Sequence, residues 1–240
     1  MKKLLPLLCT LAFMANPAAA ADINNLGALG QASFKTLSED LSSALSYKPV
    51  TPAEPLGILG FDVGIVVTST DISRSTAILN TATNGGESIK SLIVPKLHVA
   101  KGLPMSFDIA AFISKVPTTN ISLVGGEIRY SPLSGGVAMP AVSIRGALTK
   151  LTGVDQLDLS TKSLDVSISK GFLMFTPYAG VGQVWVTSTP NGVPLLREES
   201  FSQSKIFIGG NVNLAIMNIA LEGDKTGDAK SASLKIGFRF

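Results

Sequence analysis

The chain ends in the stretch SASLKIGFRF, residues 231–240. Apolar residues occupy every second position of this stretch, and polar or charged residues lie between them. Successive side chains of a β-strand point to opposite faces of the sheet, so the pattern predicts a strand with one apolar and one polar face. The same alternation recurs along most of the chain and decides its fold class.

A terminal phenylalanine, Phe240, preceded by alternating apolar residues that include Phe238, resembles the closing strand of Gram-negative outer-membrane β-barrels. The resemblance implies that the barrel insertion machinery reads these two residues. On residues 57–64, 169–182 and 222–240 the chain is also similar to a group of uncharacterised small barrels with an N-terminal helix. A looser resemblance to long-chain fatty-acid transporters, whose N-terminal segment acts as a hatch, concerns the layout alone.

The N-terminus has the pattern of a secretory signal peptide. Two lysines precede the apolar stretch Leu4–Met14, and small residues follow it up to Ala21. The apolar stretch is too short to cross a bilayer as a helix. We predict a signal peptide over residues 1–21, whose removal also removes Cys9, the only cysteine. The mature chain would then have no disulfide, no thiolate nucleophile and no cysteine metal site.

Composition places the chain among membrane β-proteins. Of its 20 Lys and Arg residues two lie in the signal peptide, so the rest nearly balance the 17 Asp and Glu, and we expect no nucleic-acid partner. Mean hydropathy is positive, at +0.37, yet the apolar residues are spread over short alternating segments. That distribution is typical of an outer-membrane barrel. A secreted β-sandwich, whose strands also alternate, is the alternative.

The first part of the mature chain is predicted to be helical. Over Asp22–Tyr47, apolar residues recur every three or four positions, which indicates an amphipathic helix. Three prolines within Lys48–Gly57 predict an extended linker. The apolar stripe must be buried in the barrel lumen, on the periplasmic membrane surface or against a partner. We expect the helix to insert into, or cap, the periplasmic mouth, where Phe112, Leu123 and Phe207 would offer an apolar patch.

Residues 57–240 are predicted to form an all-β, transmembrane up-and-down antiparallel barrel of about ten strands, with eight or twelve as alternatives. The predicted strands are Gly57–Asp71, Leu92–Lys101, Met105–Lys115, Asn120–Ser131, Ala141–Lys150, Leu159–Ser169, Leu173–Thr187, Lys205–Leu214, Asn218–Asp224 and Ser231–Phe240. Two long connections, Ser73–Ser91 and Ser188–Ser204, are expected outside the cell. Tight connections at residues 102–104, 170–172 and 215–217 are expected in the periplasm, as in known barrels.

In these predicted strands the charged residues occupy alternate positions, which together form the less apolar face. Turning that face to lipid would cost on the order of 20 kcal/mol, more than a typical folding stability, so it should line the lumen. The expected lumen residues are Asp62, Lys96, His98, Asp108, Glu127, Arg129, Arg145, Asp165, Lys205, Glu222, Lys235 and Arg239. Their opposite charges predict either a salt-bridged, self-neutralised interior or a polar conduit with local charge selectivity.

Three lysines fall on the other, more apolar face of their strands, namely Lys115, Lys150 and Lys162. Each falls on the lipid face near the outer end of its strand. There a lysine can extend its ammonium group to the headgroup level, which is ordinary solvation at the rim. The alternative is contact with lipopolysaccharide phosphates.

The sequence predicts no catalytic residue, cofactor or metal. His98 is the only histidine, and no nucleophile motif surrounds it. One histidine without a mature cysteine does not make a transition-metal site. We expect a protein of the Gram-negative cell outer membrane that is not an enzyme. It would be a narrow channel or transporter for small or hydrophobic compounds, gated by the N-terminal helix. The alternative is a non-transporting structural or interaction barrel that displays two long outer loops.

Overall fold

The computed structural model describes residues 22–85 and 89–240, so the expected signal peptide lies outside the described residues. The helices are α1 (Gln31–Leu45) and α2 (Thr76–Ala82), with 3-10 turns at Leu26–Ala28, Ser73–Ser75 and Pro104–Ser106. The strands are β1 (Phe61–Asp71), β2 (Ser91–Gly102), β3 (Phe107–Lys115), β4 (Ser122–Ser134), β5 (Ala141–Thr152), β6 (Leu157–Ser169), β7 (Phe175–Pro190), β8 (Glu199–Leu214), β9 (Met217–Thr226) and β10 (Ala229–Arg239).

The strands form one closed antiparallel barrel. Each pairs with its neighbours in the sequence, and β1 pairs with β10 to complete the ring. In that closing pair, Ile65 lies opposite Ile236 and Gly64 opposite Gly237. The prediction of an up-and-down barrel of about ten strands is therefore confirmed. We call the end at which β1 begins and β10 finishes the inner end, and the opposite one the outer end.

We call the lipid-facing side of the barrel wall the outer face and the lumen-facing side the inner face. The apolar residues of the strands lie on the outer face. Two stacked aromatic pairs belong to an aromatic girdle at the inner end, with ring centroids 5.8 Å apart for Phe61 and Phe240 and 4.7 Å apart for Phe107 and Tyr130. Between the two ends, exposed residues on this face include Ile65, Ile113, Val124, Ile144, Leu164, Val166, Val181, Ile206, Ile208, Leu221 and Ile236. An apolar band with an aromatic girdle and a polar interior is the arrangement of a transmembrane barrel.

The outer connections differ from the prediction in two places. β7 and β8 run further than expected and pair as far as Ser188 and Glu199, so the predicted long loop over Ser188–Ser204 is wrong. Only residues 191–198 connect the two strands. Apart from Pro190 and Phe201 the added strand length is polar, and it therefore lacks the apolar alternation that marks a strand within the membrane. The other long connection, residues 72–90, contains α2, which the sequence reading missed.

The predicted N-terminal helix is shorter than expected. The continuous helix α1 begins after Gly30, whose backbone is extended at φ −82° and ψ 162°. Before it, Leu26–Ala28 forms a single 3-10 turn that ends at Leu29. Gly27 and Gly30 explain the interruption, because glycine lowers helix stability by about 1 kcal/mol relative to alanine.

Candidate functional site

The lumen is occupied by the chain's own N-terminal segment. We call residues 22–60 the plug segment. At the outer end, the Ile23 amide donates to Asn120 Oδ1 over 3.2 Å, in the connection between β3 and β4. Near the inner end, the Leu56 amide donates to Asp108 Oδ1 over 3.0 Å. The plug segment therefore runs through the barrel from one end to the other.

Helix α1 lies in the outer half of the lumen. The expectation that the helix enters the lumen is correct, but its placement at the periplasmic mouth is wrong. The apolar stripe of α1 packs in a buried cluster whose wall residues include Leu92, Phe112, Leu123, Leu151 and Leu159. Phe207 is buried but lies outside this cluster, with Lys205 Nζ 5.2 Å from its ring. Apolar residues form part of the wall in the outer half, and residues 46–56 can extend to about 35 Å, which lets α1 reach them.

Serines on the polar face of α1 contact the barrel wall. Ser38 Oγ lies 2.8 Å from Ser188 Oγ on β7, and both atoms are buried. Ser43 Oγ donates to Gln203 Oε1 at 3.1 Å and lies 3.0 Å from the Thr226 carbonyl oxygen. Small side chains let the helix approach the strands closely while satisfying buried polar groups, which otherwise cost about 1–3 kcal/mol each.

Below α1, charged wall residues bind the start of the extended linker. Lys48 Nζ lies 2.7 Å from Asp224 Oδ2, with both side chains buried. Lys205 Nζ donates to the Tyr47 carbonyl oxygen over 2.8 Å. Tyr47 Oη and His98 Nε2 are 3.0 Å apart. This junction therefore joins the plug segment to three strands.

Further down, wall side chains satisfy the linker backbone. The Val50 amide donates to Glu222 Oε2 over 3.0 Å, and the Ala53 amide donates to Ser169 Oγ over 3.1 Å. An extended chain rich in proline cannot form these bonds within itself, and buried backbone groups must be paired. The polar lumen is thus complementary to an extended peptide.

Ion pairs cross-link the wall itself. Arg129 lies 2.6 Å from Asp108, and Arg145 lies 2.7 Å from Glu127. Further pairs are Lys205 with Asp165 at 3.1 Å, and Lys235 and Arg239 with Asp62, each at 2.5 Å. All twelve expected lumen residues lie on the inner face, and all except Arg239 are buried. Lys96 lies 5.0 Å from the centre of the Phe112 ring and has no ion pair among the described residues.

Several residues of this site were missed in the sequence. Lys48 was assigned to a linker, and Asp224, the last residue of the predicted strand Asn218–Asp224, was not counted among the lumen residues although it lies within β9. Asp224 shares its phase with Glu222, and that alternation could have placed it in the lumen. Tyr178 donates to Glu222 Oε2 over 3.1 Å, and nothing in its local sequence marks this role.

At the outer end, Arg74 joins the plug segment to two outer connections. Its guanidinium lies 2.8 Å from Glu39 and 2.7 Å from Asp228. Ser75 Oγ, next to Arg74, donates to Asp40 Oδ2 over 2.8 Å. Burial raises the pKa of Asp40 above its usual range, against this hydrogen bond and the charge of Arg74.

The three predicted rim lysines are exposed on the outer face. Lys115 is the last residue of β3, whereas Lys150 and Lys162 lie on the neighbouring strands β5 and β6. A shallow groove of about 310 Å³ ends at Lys150 and Lys162, and its lining includes Val124 and Leu148. Their contact with lipopolysaccharide stays a prediction.

The only histidine is enclosed in the lumen. His98 is buried, at 5 % exposure, and its ring contacts the Tyr47 hydroxyl. Within residues 22–85 and 89–240, no three His, Cys, Asp or Glu side chains are grouped to hold a metal. In the same part of the chain, no helix is both long enough and apolar enough to cross a membrane.

Comparison with known proteins finds distant structural neighbours. No family model matches the chain, and no curated protein matches it. The N-terminal β-barrel domain of Pseudomonas aeruginosa OprF is 14% identical, over 74% of this chain and 97% of that chain, with a TM-score of 0.36. Neisserial surface protein A is 10% identical, over 75% of this chain and 95% of that chain, with a TM-score of 0.32. OmpT, an outer membrane protein of Vibrio cholerae crystallised without one loop, is 11% identical over 62% of this chain and 54% of that chain, with a TM-score of 0.32.

These structures are Gram-negative barrels, as the sequence resemblance implied. At such low identity and TM-score the likeness carries no argument, and no residue role is taken from them. The function is therefore argued from the contacts of this chain.

Proposed function

We propose that this chain is an outer-membrane barrel whose lumen is closed by its own plug segment, and that it acts as a surface interaction barrel. It presents residues 22–30 together with the described parts of the outer connections, residues 72–85, 89–90, 116–121, 153–156 and 191–198. In this proposal the plug segment is a fixed part of the surface rather than a moving gate.

The observation that carries the proposal is the path of the plug segment. It is bound at the outer end through Ile23, in the middle through Lys48 and near the inner end through Leu56. The Leu26 amide also donates to Gln156 Oε1, over 2.8 Å, in the connection between β5 and β6. Bonds spread over the full length favour a permanent occupant, because every one must break before the lumen can open.

The proposed location rests on three features. The expected signal peptide would export the chain, and Phe238 and Phe240 in the alternating pattern of β10 resemble the residues read by the insertion machinery. The outer face is an apolar band that requires lipid contact. With the inner end in the periplasm, the plug segment brings the mature N-terminus to the outside of the cell.

A gated narrow channel or transporter for small or hydrophobic compounds is the second candidate. It is favoured by the charged lower wall, since Lys205, Asp165 and Glu222 would line a hydrated path once the plug segment left. Among the described residues the plug segment is joined covalently to the barrel at Phe61 alone, which would permit such a movement.

Single-channel recording in planar bilayers separates the two functions. We expect the mature wild-type protein to be closed, and a variant lacking residues 22–47 to conduct if it folds. A Ser38→Cys/Ser188→Cys variant supplies a matched control, because the two hydroxyl oxygens lie 2.8 Å apart and a disulfide would fix α1 to β7. Conductance of the wild type that is abolished in the oxidised variant and restored by reductant would show the gated channel and contradict the proposal.

A further inference from the structure

Two lysines face each other at the outer end of the β9–β10 hairpin. Lys225 and Lys230 are register partners, and both are exposed on the outer face. Like charges directly opposite each other destabilise an antiparallel pair. Asp71 is close enough to Lys230 to be influenced by its charge, but it already accepts hydrogen bonds from Ser73. Among the described residues, no carboxylate oxygen lies within 4.0 Å of either lysine Nζ, so neither lysine forms an ion pair.

An apolar groove lies on the lipid face beside this pair. Its volume is about 920 Å³, and its apolar lining includes Val166, Ile168, Ala179, Val181, Ile206 and Ile208. The small residues Ala179 and Gly223 form part of the groove, which ends at Lys225 and Lys230. A second groove of about 840 Å³ shares Ile168, Ala179 and Ile208 and continues to Phe175. The two grooves therefore join into one continuous groove that runs from the lysine pair towards the inner end.

The lysine pair lies at the height of outer-leaflet headgroups. From Phe240 to Lys230 the chain rises by about 34 Å along the strand, or about 26 Å along the membrane normal at the usual tilt of barrel strands. An apolar band in such barrels is about 25 Å tall. With the aromatic girdle of the inner end at one interface, the two ammonium groups reach the other.

We propose that Lys225, Lys230 and this groove bind one phosphorylated, multiply acylated lipid of the outer leaflet, the lipid part of lipopolysaccharide. A phosphate group between the two ammonium groups would neutralise their repulsion through charge-assisted hydrogen bonds. An acyl chain would fill the groove over Ala179 and Gly223. The site lies on β9 and β10, apart from the predicted rim lysines on β3, β5 and β6, and it rests on the proposed outer-membrane location.

Lipid binding to the purified, folded protein tests the site. Lipopolysaccharide is titrated into detergent-solubilised protein, and bound lipid is measured by native mass spectrometry together with the unfolding midpoint. We expect Lys225→Gln/Lys230→Gln to bind about tenfold more weakly than the wild type, as the loss of a charge-assisted contact implies. Without lipid this variant should unfold no earlier than the wild type, because a repulsion is removed. Lys35→Gln/Lys90→Gln is the control, since it removes the same charge from exposed positions away from the groove.

A second variant tests the groove without changing charge. A Cβ at Gly223 would meet its nearest atom, the Ser231 carbonyl oxygen, at 4.0 Å, so Gly223→Leu should fold and fill the groove. Gly146→Leu is the matched control, because Gly146 has similar space and lines neither groove. We expect weaker lipid binding in Gly223→Leu alone. Inorganic phosphate that competes fully with the lipid would show a simple anion site and overturn the lipid assignment.

Equal lipid binding by the wild type and Lys225→Gln/Lys230→Gln would also overturn the proposal. Membrane fractionation of cells that express the wild type tests the location separately. Outer-membrane protein without selective lipid binding would reject this site alone, whereas a protein found elsewhere would reject the location on which it rests.

Discussion

Lys48 Nζ lies 2.7 Å from Asp224 Oδ2 in the lumen, and neither side chain reaches solvent. Lys48 belongs to the plug segment and Asp224 to β9, so the pair ties the occupant of the lumen to its wall. Removing one partner of a buried pair leaves an uncompensated charge, which costs about 3–5 kcal/mol.

Lys48→Met should therefore lower the free energy of unfolding by about 3 kcal/mol or more, measured by urea unfolding of the detergent-solubilised barrel. In Lys48→Met/Asp224→Asn both charges are gone, and we expect most of that loss to be recovered. Lys35→Met, at an exposed position of α1, should change stability by less than about 0.5 kcal/mol. A double variant as unstable as Lys48→Met would show that the ion pair is not the cause.

The barrel was predictable because lipid and lumen impose opposite demands on alternate residues. Leu234, Ile236 and Phe238 face outward, whereas Lys235 between them is buried. An error of one residue in phase would place that lysine in lipid, so each strand carries its orientation in its own sequence. Within the apolar band the alternation alone separates the residues that face lipid from those that face the lumen. The strand bounds themselves differ from the prediction by several residues, as in β1, which begins at Phe61 rather than Gly57.

The plug contacts were not predictable in the same way. The bond from the Val50 amide to Glu222 joins residues 172 positions apart in the chain, and no local pattern specifies it. The amphipathic pattern of α1 shows that the helix must be buried, but it does not say against which part of the wall. The choice of the outer half depends on where Leu123, Leu151 and Leu159 lie together, which is known only once the barrel is closed.

Packing of α1 is predicted to be a main source of its attachment. Phe34 is fully buried in the apolar cluster, at 0 % exposure. Phe34→Ala should lower the free energy of unfolding by about 3–5 kcal/mol, because it removes apolar contacts and leaves a cavity. Lys35→Ala, one residue further on, should be near neutral. Limited proteolysis should also release the plug segment faster in Phe34→Ala, and equal proteolysis of both variants would contradict this packing role.

Residues 22–30 are predicted to be exposed on the outside of intact cells. Gly27 is exposed, and a Cβ there would meet no atom within 4 Å, so Gly27→Cys should be tolerated. With the inner end in the periplasm, this cysteine should react with a membrane-impermeant maleimide on intact cells. Gly136→Cys, in an inner connection with similar space, should react only after the outer membrane is opened. Labelling of Gly136→Cys alone would invert the proposed topology.

Aromatic rings are predicted to require glycine on the facing strand. Phe207 is the register partner of Gly180, and a Cβ at Gly180 would lie 2.3 Å from the Phe207 ring and 2.7 Å from the Val166 carbonyl oxygen. Phe112 covers Gly125 in the same manner, with a 2.3 Å approach to a Cβ built there. Because backbone blocks one side and a buried ring the other, Gly180→Ala should lower the free energy of unfolding by about 1–3 kcal/mol.

The control for Gly180→Ala is Gly146→Ala, which adds the same methyl group to a strand glycine with space around it. Gly146→Ala should be neutral or slightly stabilising, since alanine restricts the unfolded chain more than glycine does. Both free energies are measured by urea unfolding under the same conditions. A Gly180→Ala/Phe207→Leu variant should recover part of the loss, because the smaller side chain leaves room for the methyl group. If the double variant is no more stable than Gly180→Ala, the clash lies with the β6 backbone rather than with the ring.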